Sequence, residues 1–119
     1  MIFLVACQNN VSYKDELASM AANVNKKCPT MLDSETRIDG VEIQEPLNLV
    51  YKYTLVNVLK QNVDTAEFYR AIWPGILSTV KISPEMRKLR ENFGTVTYVY
   101  NDKMNQKIYQ VNVKPENYQ

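Results

Sequence analysis

The clearest periodic signal in the chain lies in residues 49–57. At period two, Leu49, Tyr51, Tyr53 and Leu55 fall on one side of a strand and Val50, Lys52, Thr54 and Val56 on the other. Residues 95–100 repeat the pattern, with Val96, Tyr98 and Tyr100 set against Thr95, Thr97 and Val99. A third run, residues 107–113, sets Tyr109, Val111 and Val113 against Ile108, Gln110 and Asn112. Each strand therefore offers a face rich in tyrosine and aliphatic residues, backed by a more polar one. This is the pattern of a sheet covered on one side and wet on the other. Tyrosine suits the rim of such a core, because its ring is buried while its hydroxyl reaches water or a partner.

Period 3.6 appears elsewhere. Leu17, Met20, Ala21 and Val24 form one apolar stripe, predicting a helix over residues 12–27, with Ser12 as N-cap and Lys26 and Lys27 in the last turn. Cys28-Pro29 stops it. A strand follows over residues 37–45, in which Gly40 after Asp39 predicts a bulge or bend. Residues 45–48 turn the chain into the central strand as a hairpin. Asp64 or Thr65 caps a second helix, carrying Phe68, Ile72 and Ile76 or Leu77, and Trp73-Pro74-Gly75 predicts a kink or break in it. Ser83-Pro84-Glu85 is a strong helix start, with Met86, Leu89 and Phe93 on its apolar side. The last two strands form a second hairpin, and residues 114–119 read as a frayed polar tail. The order is helix, hairpin, helices, hairpin. The expected fold is α+β in two layers, a four-stranded antiparallel sheet with helices on one face.

Length and composition narrow the chemistry. At 119 residues, with 45% hydrophobic and 23% charged residues, the chain is one ordinary domain. A net charge of +1 gives no global field for nucleic acid. Histidine is absent, which removes the commonest general base and metal ligand. Cys7 and Cys28 are too few for a thiolate zinc cage, and Gly40, Gly75 and Gly94 are too scattered for a phosphate loop. We therefore assign no catalytic residue, metal or cofactor from sequence. Cys28 lacks a base to activate it and reads as a small hydrophobe at a helix end. Trp73 reads as a large side chain packed over the sheet rather than a ligand wall. Arg87, Lys88 and Arg90 read as a solvated basic face. Asp33, Glu35, Asp39, Glu42 and Glu45 read as solvated charge on an outer hairpin, without calcium-loop spacing.

The N-terminal run Ile2 to Ala6 is apolar but too short to span a bilayer, and polar Gln8-Asn9-Asn10 follows at once. Leu4-Val5-Ala6-Cys7 resembles the lipobox of bacterial lipoproteins. That resemblance implies cleavage before Cys7 and lipidation of Cys7, with several acyl chains for stable anchoring. It implies that residues 1–11 are a signal-peptide remnant and tether, and that 12–119 are the folded domain. Gln8 after the cysteine implies the outer membrane in bacteria of the enteric kind. Overall the chain resembles the many small bacterial lipoproteins of undefined role.

The functional expectation is a non-catalytic cell-envelope module, anchored through lipid and facing the periplasm or exterior, that binds a protein partner or a small ligand. The polar sheet face, marked by Lys52, Thr54, Thr97 and Gln110, is the candidate partner surface. One alternative is a cytoplasmic interaction domain in which residues 2–6 form a strand. Another is a histidine-free carboxylate hydrolase, which requires Asp39 or Glu42 to meet a second carboxylate across a cleft.

Overall fold

The computed structural model describes residues 2–44 and 48–119, with side chains in the first helix described from Tyr13 onward. Its elements are α1 (Ile2–Asn25), β1 (Thr30–Met31), β2 (Thr36–Gln44), β3 (Asn48–Leu55), α2 (Thr65–Ile82), α3 (Arg87–Glu91), β4 (Val96–Asn101), β5 (Lys107–Val113) and α4 (Pro115–Tyr118). Short 3-10 turns lie at Lys60–Asn62 and Pro84–Met86. The fold is α+β, and the helices pack on one face of the sheet.

The sheet differs from expectation in two ways. It has five strands, in the order β1-β2-β3-β4-β5, and it is mixed: β3 and β4 run parallel, while the other neighbours are antiparallel. Alternation along a strand is the same whichever way its neighbour runs, so period two does not report direction. The connection does. Between β3 and β4 the chain passes through α2 and α3, and a helical crossover returns it to the end of the sheet where it started. β1 spans two residues, too few for periodicity to register.

The apolar faces assemble as the alternation requires. Leu49, Tyr51, Tyr53, Val96, Tyr98, Tyr100, Val111 and Val113 are buried and join one core cluster. α1 covers β2 with Tyr13, Leu17 and Ala21, and Met20 and Val24 pack beside them. The Asn25 carboxamide fixes the end of that helix, donating to Val41 O (2.9 Å) and accepting from Val41 N (2.8 Å). Here the register shifts between Ile38 and Gly40, the bulge foreseen at this glycine. A Cβ on Gly40 would stand 3.1 Å from Asn25 Oδ1, so the close docking of α1 favours glycine.

Three further expectations are corrected. First, α1 runs as one helix from Ile2, so Ser12 is not its N-cap and residues 2–6 are not a strand. Periodicity alone does not separate a short apolar strand from a helical turn. Second, α2 is unbroken through Pro74, which sits on its exposed side, where the lost hydrogen bond faces water. Third, the tail is docked: Tyr118 is buried and donates to Gly94 O at 2.8 Å. The connection at residues 45–47 lies outside the described residues. Other caps are as read. The Asp64 carboxylate accepts from Ala66 N and Glu67 N, and the Ser83 hydroxyl from Glu85 N.

Asp102 holds the far end of the sheet. It is wholly buried, and its carboxylate accepts backbone N–H bonds from Lys60, Met104 and Gln106, each at 2.8 Å. These bonds hold its pKa below the usual carboxylate range, with the Gln106 bond the largest cause.

Candidate functional site

The tyrosine-bearing face is not completely covered. α1 lies over β2 and α2 over β5, reaching β4 through Phe68 on Tyr100, which leaves a groove of about 470 Å3 above β3 and β4, between α2 and the segment at Leu32, Asp33 and Thr36. The parallel register sets Tyr51 beside Tyr98 and Tyr53 beside Tyr100, so the floor is a two-by-two grid of phenols. Ring centroids lie 5.3 Å apart across the first pair and 5.0 Å across the second, with planes inclined by 18° and 16°. Rings standing this way show one another their faces and the groove their edges. α2 supplies one wall with Phe68, Ile72, Ile76 and Thr79, one helix face, and Leu55 and Met86 also line the groove. Gly75 opens the middle of that wall, because no atom lies within 4 Å of where its Cβ would be.

Each of the four tyrosines is at most 9% exposed, yet among the described residues none of their hydroxyls hydrogen-bonds to the protein. Burial pushes Tyr51 and Tyr100 up to about 12, helped at Tyr51 by the Glu85 carboxylate. Tyr53 and Tyr98 are also raised, by burial first and by neighbouring phenols second. At neutral pH the floor is therefore four neutral phenols, each able to donate and accept. Charges in the lining are Asp33 and Glu85, both acidic. The arrangement can hold an apolar or neutral group and satisfy polar atoms on its underside. It suits neither an anion nor a metal, and among the described residues no cluster of carboxylates or thiols could hold a metal ion.

The residues singled out from sequence lie elsewhere. Lys52, Thr54, Thr97 and Gln110 share the opposite, helix-free face, as their alternation required. Their polar groups are already engaged. Lys52 pairs with Glu42 (2.5 Å), and Thr54 donates to Asp39 (2.5 Å). Thr97 donates to Asn112 (2.9 Å), and Gln110 accepts from Lys107 (3.0 Å). Asp39 is also bonded by Arg37 at 2.6 Å, so Asp39 and Glu42 are each held by a cation and meet no second carboxylate. Arg90 is not part of a free basic face; its guanidinium donates to Val80 O and Ser83 O, closing the end of α2. Cys28 is half-buried, and its thiol donates to Val24 O at 3.2 Å. Burial and the nearby Asp39 charge push that thiol up, the opposite of an activated nucleophile. The Cys7 side chain lies outside the described residues. Trp73 stacks on Tyr69 beside β5 rather than over the groove. The groove was missed because its floor was read only as core. The Tyr-x-Tyr repeats at 51/53 and 98/100 were the available signal.

Residues 12–110 match a family described as a domain of unknown function (DUF8479), and the chain belongs to that family. No curated protein matches. Among solved structures, a candidate secreted protein of Pseudomonas aeruginosa superposes with a TM-score of 0.69 at 14% identity, over 92% of this chain and 95% of its own. EpsS, the pilotin of the Vibrio vulnificus type 2 secretion system, superposes with a TM-score of 0.63 at 7% identity, over 94% and 93%. At these identities the likeness is one of fold. Among the described residues no helix is long and apolar enough to cross a membrane.

Proposed function

We propose that this chain is a non-catalytic module of the bacterial cell envelope, anchored by lipid at Cys7, with residues 12–119 as its working domain, that holds a protein partner or a small neutral ligand in the tyrosine-floored groove. The observation that carries the binding reading is the set of four tyrosines whose rings are buried while their hydroxyls open onto the groove and, among the described residues, bond to no protein group, which leaves those hydrogen bonds free for a ligand. The lipobox resemblance at Leu4-Val5-Ala6-Cys7 supports the address. The fold shared with a candidate secreted protein and with a type 2 secretion pilotin agrees with that address.

Two experiments test the two halves. Expressed in a bacterial host from its native gene start, the wild type is expected in the membrane fraction carrying acyl mass, and Cys7→Ala soluble without it. An unmodified soluble wild type would refute the anchor. For the groove, a photo-cross-linking residue at Ile72 is expected to yield one discrete adduct in envelope preparations. Gly75→Leu, at a position where an added Cβ meets open space, is expected to abolish the adduct while leaving the fold intact. An adduct unchanged by Gly75→Leu would exclude the groove as the binding site.

A further inference from the structure

We propose that the outer edge of β5 is a second, independent binding site, which takes an extended segment of a partner protein as a sixth strand. β5 ends the sheet, and among the described residues its backbone pairs only with β4. A cleft of about 400 Å3 runs beside it, lined by four successive residues, Tyr109, Gln110, Val111 and Asn112. Successive strand residues point to opposite faces, so a cleft touched by all four lies against the strand's rim, where its outward N–H and C=O groups are. Exposed edges are usually protected by a bulge, a proline or a mid-strand lysine. Here the one irregularity precedes Tyr109, and the next proline is Pro115. Tyr109 to Val113 is thus a regular, uncharged, β-favouring run with nothing to deter pairing. The opposite edge, β1, is two residues long and offers no comparable rim.

The surroundings define the segment. On the helix side, Tyr69 stacks on Trp73 (5.5 Å) and packs against Tyr109 (5.8 Å), forming a half-buried aromatic shelf beside the edge. On the other side Gln110 and Asn112 are exposed and bonded to one another (3.3 Å), a polar surface that keeps the unshared amide hydrogens free. A strand added here meets aromatics with one set of alternate side chains and amides with the other, so it alternates apolar and polar residues. Lys107 and Lys114 flank the run about 23 Å apart at ~3.3 Å per residue. Among the described residues neither forms an ion pair. Glu116 also lines the cleft, two residues from Lys114, and offsets its charge, so the incoming segment is neutral in its middle and carries a carboxylate at the end that meets Lys107. This is strand addition, in which backbone bonds give affinity and alternate side chains give selectivity.

Trp73 is the only tryptophan, so its emission reports on this cleft directly. The probe is a blocked synthetic peptide of alternating Val and Thr with Asp at both ends. Two further versions carry N-methyl groups on alternate amides, one version for each edge of the peptide. The unmodified peptide is expected to shift Trp73 emission saturably. One methylated version should bind comparably and the other at least about tenfold more weakly, since losing two or more backbone bonds costs that much. A Lys-ended peptide should bind more weakly than the Asp-ended one, with the gap closing in high salt. Gln110→Lys, at an exposed mid-strand position, should keep its circular dichroism and lose the response, whereas Gly75→Leu should retain it, separating this edge from the groove. Equal binding by the two methylated peptides, or no response to any, would overturn the proposal. So would a concentration-dependent dimer of the peptide-free protein that Gln110→Lys dissolves, since a second copy would then occupy the edge.

Discussion

The two faces of the sheet reverse the usual assignment of polar surface to binding. The helix-free face looks polar and accessible, yet its groups satisfy one another: Lys52 with Glu42, Thr54 with Asp39 and Arg37, Thr97 with Asn112. The helix-covered face looks like core, yet among the described residues it carries four groove-facing hydroxyls with no protein partner. A polar residue is a recognition group only while its hydrogen bonds are unspent. Adjacent residues on one strand, Tyr53 and Thr54, stand on either side of that divide.

The largest expected effect uses the ionisation of the covered face. Burial raises the phenol pKa values of Tyr51, Tyr53, Tyr98 and Tyr100, so folding favours their neutral forms. The stability linked to this is fully present below the unfolded tyrosine value, near 10, and is lost as pH rises through that value toward the folded ones. In alkaline titration, phenolate absorbance from these four should appear together with loss of the near-ultraviolet circular dichroism signal. Early, non-cooperative ionisation with the fold intact would mean that the groove floor is far wetter than the structure has it.

Next in size is truncation on either side of β3. Leu49→Ala, at a wholly buried position, is expected to cost about 2–5 kcal/mol in denaturant unfolding. Lys52→Ala, which removes an exposed ion pair, is expected to cost under about 1 kcal/mol. Similar costs at the two positions would deny that the faces differ in burial.

The smallest effects are the most discriminating. Thr54→Val removes a donor that Asp39 uses and should destabilise by about 1 kcal/mol. Tyr53→Phe removes a hydroxyl that no protein group among the described residues uses, so its stability should stay within about 0.5 kcal/mol of wild type. Tyr53→Phe should nonetheless reduce the yield of the Ile72 cross-linked adduct. If Tyr53→Phe destabilises more than Thr54→Val does, the hydroxyl has a structural partner and the groove loses its main claim as a site.

Much of this architecture was legible in the chain. The alternation at residues 49–55 and 96–100 determined which side chains face the core. Spacing at 3.6 placed Leu17, Ala21, Ile76 and Leu89 inward, and Asp64, Ser83 and Gly40 marked two caps and a bulge. These are local properties, set by the geometry of a helix or strand and by the hydrogen-bonding reach of a single side chain. What the local signals left open was decided between elements. The parallel pairing of β3 with β4 depends on where the crossover delivers the chain, and the role of Asp102 on joining two amides of its own loop to the Lys60 amide, forty-two residues away. The groove depends on how far α2 settles from the segment at Leu32, Asp33 and Thr36. Tyr51 and Tyr53 are buried aromatics by pattern alone. They form a phenol grid with Tyr98 and Tyr100 because a register joining positions some forty-seven residues apart sets the rings side by side, and the grid floors a groove because α2 stops short of the segment at Leu32 to Thr36.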